Sequence, residues 1–235
     1  MGEMNSISLF LLTYVNDKTD YFDYNLKIHK NNGEVQIKIY EFYKNICCLD
    51  NENLVQELVE TTEVRYLRKG EVIVHVGEVQ NDVYFLISGI ARGYFLDMNG
   101  KDVTDCFSFK CGSTAVSFGQ LKMDVPSPMT IEVLEDGEFF CVPISAAMEL
   151  QKKYLEITLL YNRLLIDALT EHWRLKQILN QYTAIQRYQW FLKEYPGLIY
   201  RVKGKYIASF LGMTPVTLSR LRRTLKEGDD QKGIH

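Results

Sequence analysis

Three arginines, Arg220, Arg222 and Arg223, close the stretch KYIASFLGMTPVTLSRLRR (205–223). A guanidinium can donate two parallel hydrogen bonds to guanine and can neutralise a phosphate, so arginines gathered on one short helix are chemistry suited to a nucleic acid. Other reactive side chains are sparse. The four histidines, His29, His75, His172 and His235, lie far apart in sequence. No paired carboxylates or Ser/His arrangement stands beside them, so neither hydrolysis nor a metal-dependent reaction is expected. The five cysteines, Cys47, Cys48, Cys106, Cys111 and Cys141, are odd in number and irregular in spacing, which is no disulfide framework and points to a reducing, cytoplasmic compartment. Adjacent Cys47 and Cys48 suit a tetrahedral metal site poorly, and Cys106-x4-Cys111 lacks obvious partners. The expectation is a protein that is not an enzyme and holds no resident cofactor.

Charge supports the same emphasis. The chain has 235 residues and a formal charge of −3, yet between Arg187 and Lys226 nine Lys/Arg stand against the single acid Glu194. That stretch carries +8 and the remainder −11. A basic block at one end of an acidic chain is an anion-facing module. The apolar run Ile7–Val15 is too short to span a bilayer and lacks a basic leader, so it is expected to be a buried helix rather than a signal or an anchor, and no membrane is expected as a partner.

The elements that position this chemistry fall into blocks. Gln36–Cys48 has apolar residues near helical spacing and Asn51–Thr61 forms a second short helix candidate, while 16–32 has no clear pattern. Between residues 64 and 143 short runs rich in Val, Ile, Tyr and Phe are punctuated by glycines, which predicts about eight strands in a jelly roll. Met98-Asn99-Gly100-Lys101 and Asp136-Gly137 are both hairpin signals. Ser145 is a candidate cap for a helix over 146–152. A long helix is then predicted over 154–182, with Leu155, Leu159, Asn162, Ile166, Leu169, Trp173 and Lys176 at alternating four- and three-residue steps. Leu159, Ile166 and Trp173 keep a seven-residue step. Such a stripe wants a partner, and the simplest is its copy in a homodimer, with Leu159, Ile166, Leu169 and Trp173 in the contact. A further helix, Ala184–Glu194, ends at Pro196-Gly197. The division expected is 1–144 helical extension and barrel, 145–182 dimerisation helix, and 183–235 basic helical domain.

Residues 205–223 then resolve into two helices and a tight turn. Lys205–Leu211 is a short helix; Gly212 can take the left-handed conformation that ends it. Thr214 is a good N-cap and Pro215 a favoured first residue for the next helix. Leu218, Leu221 and Leu225 form one face of that helix; Val216, Ser219, Arg220 and Arg223 form the opposite one, flanked by Thr217 and Arg222. This is a helix-turn-helix, whose second helix enters the DNA major groove. The expected DNA-contacting set is Lys205, Thr214, Val216, Thr217, Ser219, Arg220, Arg222 and Arg223, with double-stranded DNA as the partner. A module whose helix-turn-helix contacts protein is the alternative, and a jelly-roll metal enzyme a weaker one.

Taken together, "GEVIVHVGEVQNDVYFLISGIARGYF" (70–95) and "KYIASFLGMTPVTLSR" (205–220) resemble the Crp/Fnr family of bacterial transcription regulators, over roughly residues 60–226. The resemblance implies an α+β chain. It would contain N-terminal helices, an eight-stranded cyclic-nucleotide-binding-like barrel, a long dimerisation helix and a C-terminal helix-turn-helix. It also implies a homodimer on a near-palindromic operator, a small-molecule effector, and RNA polymerase as a further partner. By the same resemblance an effector pocket falls at Ser117, Phe118, Gln120, Pro128, Met129 and Thr130. There the chain departs from nucleotide-binding members: Gln120 follows Gly119 where they carry Glu, and Pro128 stands where the phosphate-binding Arg is expected. Without that Arg a cyclic phosphate loses its charge-assisted partner, so cyclic AMP is not the expected effector, and the effector is unknown. Cys47-Cys48 does not reproduce the spaced cysteines of iron–sulfur members. Val216 replaces the acidic residue often found there and can meet a thymine methyl. Arg220 matches the family's base-reading arginine. The β-hairpin wing is missing or vestigial, because only ten mostly polar residues follow Leu225.

Overall fold

The computed structural model describes residues 32–115 and 125–232. The Ile7–Val15 expectation lies outside them. Two helical segments come first: α1, Asn32–Glu41, continued by a π-helical turn over Phe42–Ile46, and α2, Glu52–Thr61. Asn51 caps α2 by accepting from the Leu54 amide at 3.3 Å. The apolar sides of these helices (Ile39, Phe42, Tyr43, Leu54, Val55 and Leu58) bury against Phe85, Phe140 and Val142 of the barrel. Phe42 sits edge-on to both Phe85 and Phe140, with centroids 5.4 and 5.2 Å away.

Seven strands follow: β1 Glu63–Leu67, β2 Val72–Val74, β3 Asp82–Leu86, β4 Ile90–Leu96, β5 Asp102–Ser108, β6 Thr130–Glu135 and β7 Gly137–Pro143. They form two antiparallel sheets, ordered β1-β7-β3 and β2-β6-β4-β5. The expected eighth strand is absent as a strand among the described residues. Isolated bridges, Phe85 to Thr114 and Val79 to Pro126, stand on either side of the undescribed 116–124. Between the sheets lies an apolar layer that includes Val74, Leu86, Ala91, Met129, Ile131, Val133 and Phe139.

The two hairpin signals part ways. Met98–Lys101 does join β4 to β5: Gly100 has φ +74°, and the Asp97 carboxylate accepts from the Asn99 and Lys101 amides at 2.8 and 2.9 Å. Asp136-Gly137 joins no hairpin, because β6 and β7 belong to different sheets. Gly137 has no positive φ, and a Cβ there would run into the Ser88 carbonyl. The dipeptide is a sheet crossing, and its glycine serves close approach. Its neighbour Gly89 is at φ +96°, and an added Cβ would lie 2.7–2.9 Å from the backbone of Glu135, Asp136 and Gly137. Gly89→Ala is therefore expected to cost on the order of 3 kcal/mol, through strain plus a clash with backbone that cannot yield. Urea unfolding read by circular dichroism should show the lower midpoint; an unchanged midpoint means the crossing can open without loss.

After the barrel come α3 Ile144–Lys153, α4 Leu155–Gln181, α5 Ala184–Glu194, α6 Leu198–Arg201, α7 Gly204–Phe210 and α8 Pro215–Lys232. Ser145 does not cap α3, which begins at Ile144 after Pro143 with no side-chain cap; Ser145 lies in its first turn. Thr183 and Gln186 make a reciprocal capping box on α5. The short α6 was not expected. Helix α8 continues past Leu225 through the polar tail, and no strand follows it among the described residues. No helix among them is long and apolar enough to cross a membrane.

Candidate nucleic-acid interface and the barrel

The turn between α7 and α8 is built from local chemistry. Gly212 has φ +60°, and the Thr214 hydroxyl accepts from the Thr217 amide at 3.1 Å as Pro215 opens α8. Leu218 is buried against α7, where Ile207 and Ala208 are fully buried, and Leu221 and Leu225 join the same core. On the other side Val216, Ser219, Arg220 and Arg223 are exposed, Val216 at 59%. The structure thus brings Thr214, Val216, Ser219, Arg220 and Arg223 to one open surface.

Three expected members are placed differently. The Thr217 hydroxyl is 2.9 Å from that of Thr214 and belongs to the cap. Arg222 is half-buried, and its charge acts on the buried Tyr188 phenol, whose pKa is raised by that burial and lowered in part by Arg222. Lys205 stands 4.8 Å over the Tyr206 ring, and its charge reaches Asp102 of β5; it belongs to the seam with the barrel.

That seam is the feature the sequence reading missed. The outward residues of β4, β5 and β6 are covered by the helical unit: Ile90, Leu134 and Phe107 pack with Phe191, Tyr195, Ile207 and Phe210. Phe107 sits 5.2 Å from Phe210, and the Ser209 hydroxyl accepts from the Thr104 amide at 2.8 Å. At its centre Arg92, 3% exposed, donates through Nε to Glu132 and through Nη2 to Asp102, both at 2.6 Å, and through Nη1 to Thr104 at 3.0 Å. Its guanidinium lies 3.5 Å from the Tyr206 ring centroid and 4.3 Å from that of Tyr94. Burial alone would lift the Asp102 carboxyl, but its hydrogen bond and charge interaction with Arg92 outweigh this and hold it below the ordinary aspartate range. Arg92, in the otherwise apolar ISGIARGYF, was the one signal available in the sequence.

Asp105, at the β5 irregularity opposite Gly93 and Tyr94, is the seam's weak point. Its Oδ2 is buried without a hydrogen-bond partner and lies 3.6 Å from His172 Nε2, and burial raises its pKa against a smaller opposing effect of His172. A carboxyl raised in the folded state contributes stability below the ordinary aspartate range and loses it as pH rises through the folded value. Asp105→Asn is therefore expected to raise stability at pH 8 by about 1 kcal/mol and to flatten its pH dependence between 4 and 8. Thermal melts across that range test this; an unchanged or lower melting temperature at pH 8 means the carboxylate is better solvated than its burial implies.

Inside the barrel the expected effector residues divide. Ser117, Phe118 and Gln120 lie outside the described residues. Pro128 is exposed, Met129 is buried, and the Thr130 hydroxyl accepts from the Val76 amide at 3.1 Å. Met129 Sδ and Cys106 Sγ crowd Gly93, at 2.7 and 2.8 Å from where a Cβ would stand. Burial pushes the Cys106 thiol up to about 12, as it does those of Cys47 and Cys141, so these are protonated packing groups. Arg65, which bonds the Tyr84 hydroxyl of this layer at 2.6 Å, is also committed to Asp82 and Glu63. Among the described residues no group of three His, Cys, Asp or Glu is placed to hold a metal ion.

Residues 64–154 match the family model described as the cyclic nucleotide-binding domain. The whole arrangement of barrel, long helix and helix-turn-helix superposes on solved regulators. FixK2 from Bradyrhizobium japonicum aligns over 72% of this chain and 86% of its own, with TM-score 0.64 and 21% identity. The fold is that of Crp/Fnr regulators. A protein from Eubacterium rectale described as a Crp/Fnr-family transcriptional regulator aligns over 80% and 88%, at TM-score 0.62 and 18% identity. The c-di-GMP-responsive global regulator CLP of Xanthomonas campestris aligns over 76% and 93%, at 0.63 and 13%. No curated protein sequence matches the chain. Along α4, Leu155, Leu159, Ile166, Leu169 and Trp173 are each more than half exposed, while Ile157 and Leu160 bury into the chain's own core.

Proposed function

We propose that the chain is a homodimeric transcription regulator that binds a near-palindromic operator in double-stranded DNA. One observation carries this reading: the capped α8 turns its leucines inward and presents Val216, Ser219 and Arg220 on an exposed face, with Arg223 exposed beside them. Arg220 reads guanine, Val216 meets a thymine methyl, and Arg223 and the Thr214 region hold phosphates. The uncovered stripe through Leu159, Ile166, Leu169 and Trp173 supports dimerisation through α4. Dimerisation sets two recognition helices about 34 Å apart, one DNA turn.

In this reading 1–144 is the sensor with its helical extension, 145–182 the dimer helix and 183–235 the DNA-binding domain, in a cytoplasmic protein that meets RNA polymerase at the promoter. The effector is a small molecule other than cyclic AMP, because the buried layer around Met129 is apolar and Pro128 offers no charge to a cyclic phosphate. The test is selection of random DNA fragments on the purified full chain at moderate salt, followed by sequencing. Two inverted half-sites are the expected enrichment, with affinity falling steeply as salt rises. Absence of any motif, with and without added cell extract, combined with salt-insensitive binding to a protein, would move the reading to a module whose helix-turn-helix contacts protein.

A further inference from the structure

Helix α5 brings a cation up to the turn between α7 and α8. Its first turn is fixed by the Thr183–Gln186 capping box, and the Arg187 amide donates to the Thr183 carbonyl at 2.9 Å. Tyr188 and Phe191 of the same helix are buried in the core of the helical unit. Arg187 therefore stands on a fixed support. Its side chain runs to Gly212: Nη1 lies 3.2 Å from where a Cβ on Gly212 would stand, with Leu179 Cδ2 at 3.3 Å. Gly212 is exposed, and two residues later the exposed row Thr214, Pro215 and Val216 opens α8.

The guanidinium has no acceptor within the chain. Among the described residues Arg187 makes no side-chain hydrogen bond and no ion pair, and its Nε is buried without a partner. Arg65, Arg92, Arg163, Arg174 and Arg201 differ in this respect, because each donates to a carboxylate or a carbonyl of the chain. Glu194, the single acid between Arg187 and Lys226, is taken by Arg174 at 2.8 Å. A donor shut off from water without an acceptor is costly, and such a group in a folded chain calls for a partner from outside it.

We infer that Arg187 holds a DNA phosphate beside the start of α8, so that the DNA face extends from α8 onto α5. A phosphate oxygen accepts from a guanidinium with the full assistance of charge and supplies the acceptor the chain lacks. The residue is outside the set expected from the sequence because it comes from the helix before the two-helix motif. Its role is also distinct from that of Arg220. A phosphate contact fixes register and orientation on the duplex and carries no base information. The inference rests on the DNA reading of α8.

The experiment is a fluorescence-anisotropy titration of the full chain against the selected operator and a scrambled duplex, at several sodium chloride concentrations. Wild type, Arg187→Gln and Arg187→Lys are compared. The Gln variant removes the charge and strands no ion-pair partner, and a thermal melt checks its fold. Near 0.1 M salt it is expected to bind both duplexes roughly 10-fold to 100-fold more weakly, with the ratio between them unchanged. Its plot of log affinity against log salt should be shallower by about 1.8, one phosphate lost from each protomer of the dimer. The Lys variant should keep the wild-type slope. A residue that merely shaped the turn would lower affinity without changing the slope, so a wild-type slope in the Gln variant overturns the inference and leaves the DNA reading standing. A Lys variant as shallow as the Gln one also overturns it, because charge is then not what acts. A wild type that binds neither duplex overturns the DNA reading and this inference with it.

Discussion

Arg220→Ala is expected to remove sequence selection by the proposed dimer while leaving its assembly intact. A paired hydrogen-bond contact to guanine discriminates by about 1–3 kcal/mol, and a dimer makes it twice. The loss at a selected operator is then about 2–6 kcal/mol, or roughly 30-fold to 25,000-fold. Affinity for scrambled DNA should fall far less, because most non-specific binding comes from phosphate contacts that other cations keep. Arg220 is exposed and supports no core, so sedimentation and thermal stability should match the wild type. The decisive comparison is binding to the selected site and to a scrambled one at several salt concentrations. A variant that still prefers the selected site by the wild-type ratio would place base reading on another face of α8.

Arg92→Ala is expected to have the largest effect on stability. It removes the partner of two carboxylates, Glu132 and Asp102, that are held at 2.6 Å under the cover of Tyr206. Breaking one side of a buried ionic network costs about 3–5 kcal/mol, because the stranded charges remain. Arg92→Lys should recover little, since an ammonium cannot serve Nε, Nη1 and Nη2 directions together. Arg92→Met combined with Glu132→Gln and Asp102→Asn should recover most of the loss by removing the orphaned charges. The pH dependence has a definite sign. The Asp102 carboxyl is held below its ordinary range when folded, so its contribution is present above that range and fades as pH falls through the depressed value. Denaturation of the four proteins at pH 7 and pH 4 measures this. If the single and triple variants lose equally at pH 7, the network is a packing contact rather than an electrostatic one.

The readable parts of the fold were those decided by neighbours in sequence. Gly212, Thr214 and Pro215 specify their turn through left-handed backbone, cap and ring geometry, and the structure has that turn. Asn99-Gly100 specifies the β4–β5 hairpin in the same way. Asp136-Gly137 uses similar residues for a different purpose, because the reason for its glycine is Ser88 and Gly89 on another segment. The open face of α8 followed from helical spacing, yet Thr217 is used by its own cap and Lys205 by the seam. Arg92 alternates outward on β4 as a solvent-exposed arginine would. Only the docking of α7 against that sheet makes it a buried one, and no local pattern encodes which surface will be covered.

Strand β1 pairs with β7, the last strand of the barrel. During synthesis the early strands therefore emerge with an unclosed edge, and the sheet that carries Arg92, Ile90 and Phe107 is finished before α5 and α7 exist to cover it. The nascent chain thus passes through a stage in which an apolar, charge-bearing face awaits a cover made last. Long-range closure of this kind is slow and exposes association-prone surface. Truncations that end within the long helix should accordingly be less soluble than the full chain, and translation pauses placed there should increase the demand for chaperones.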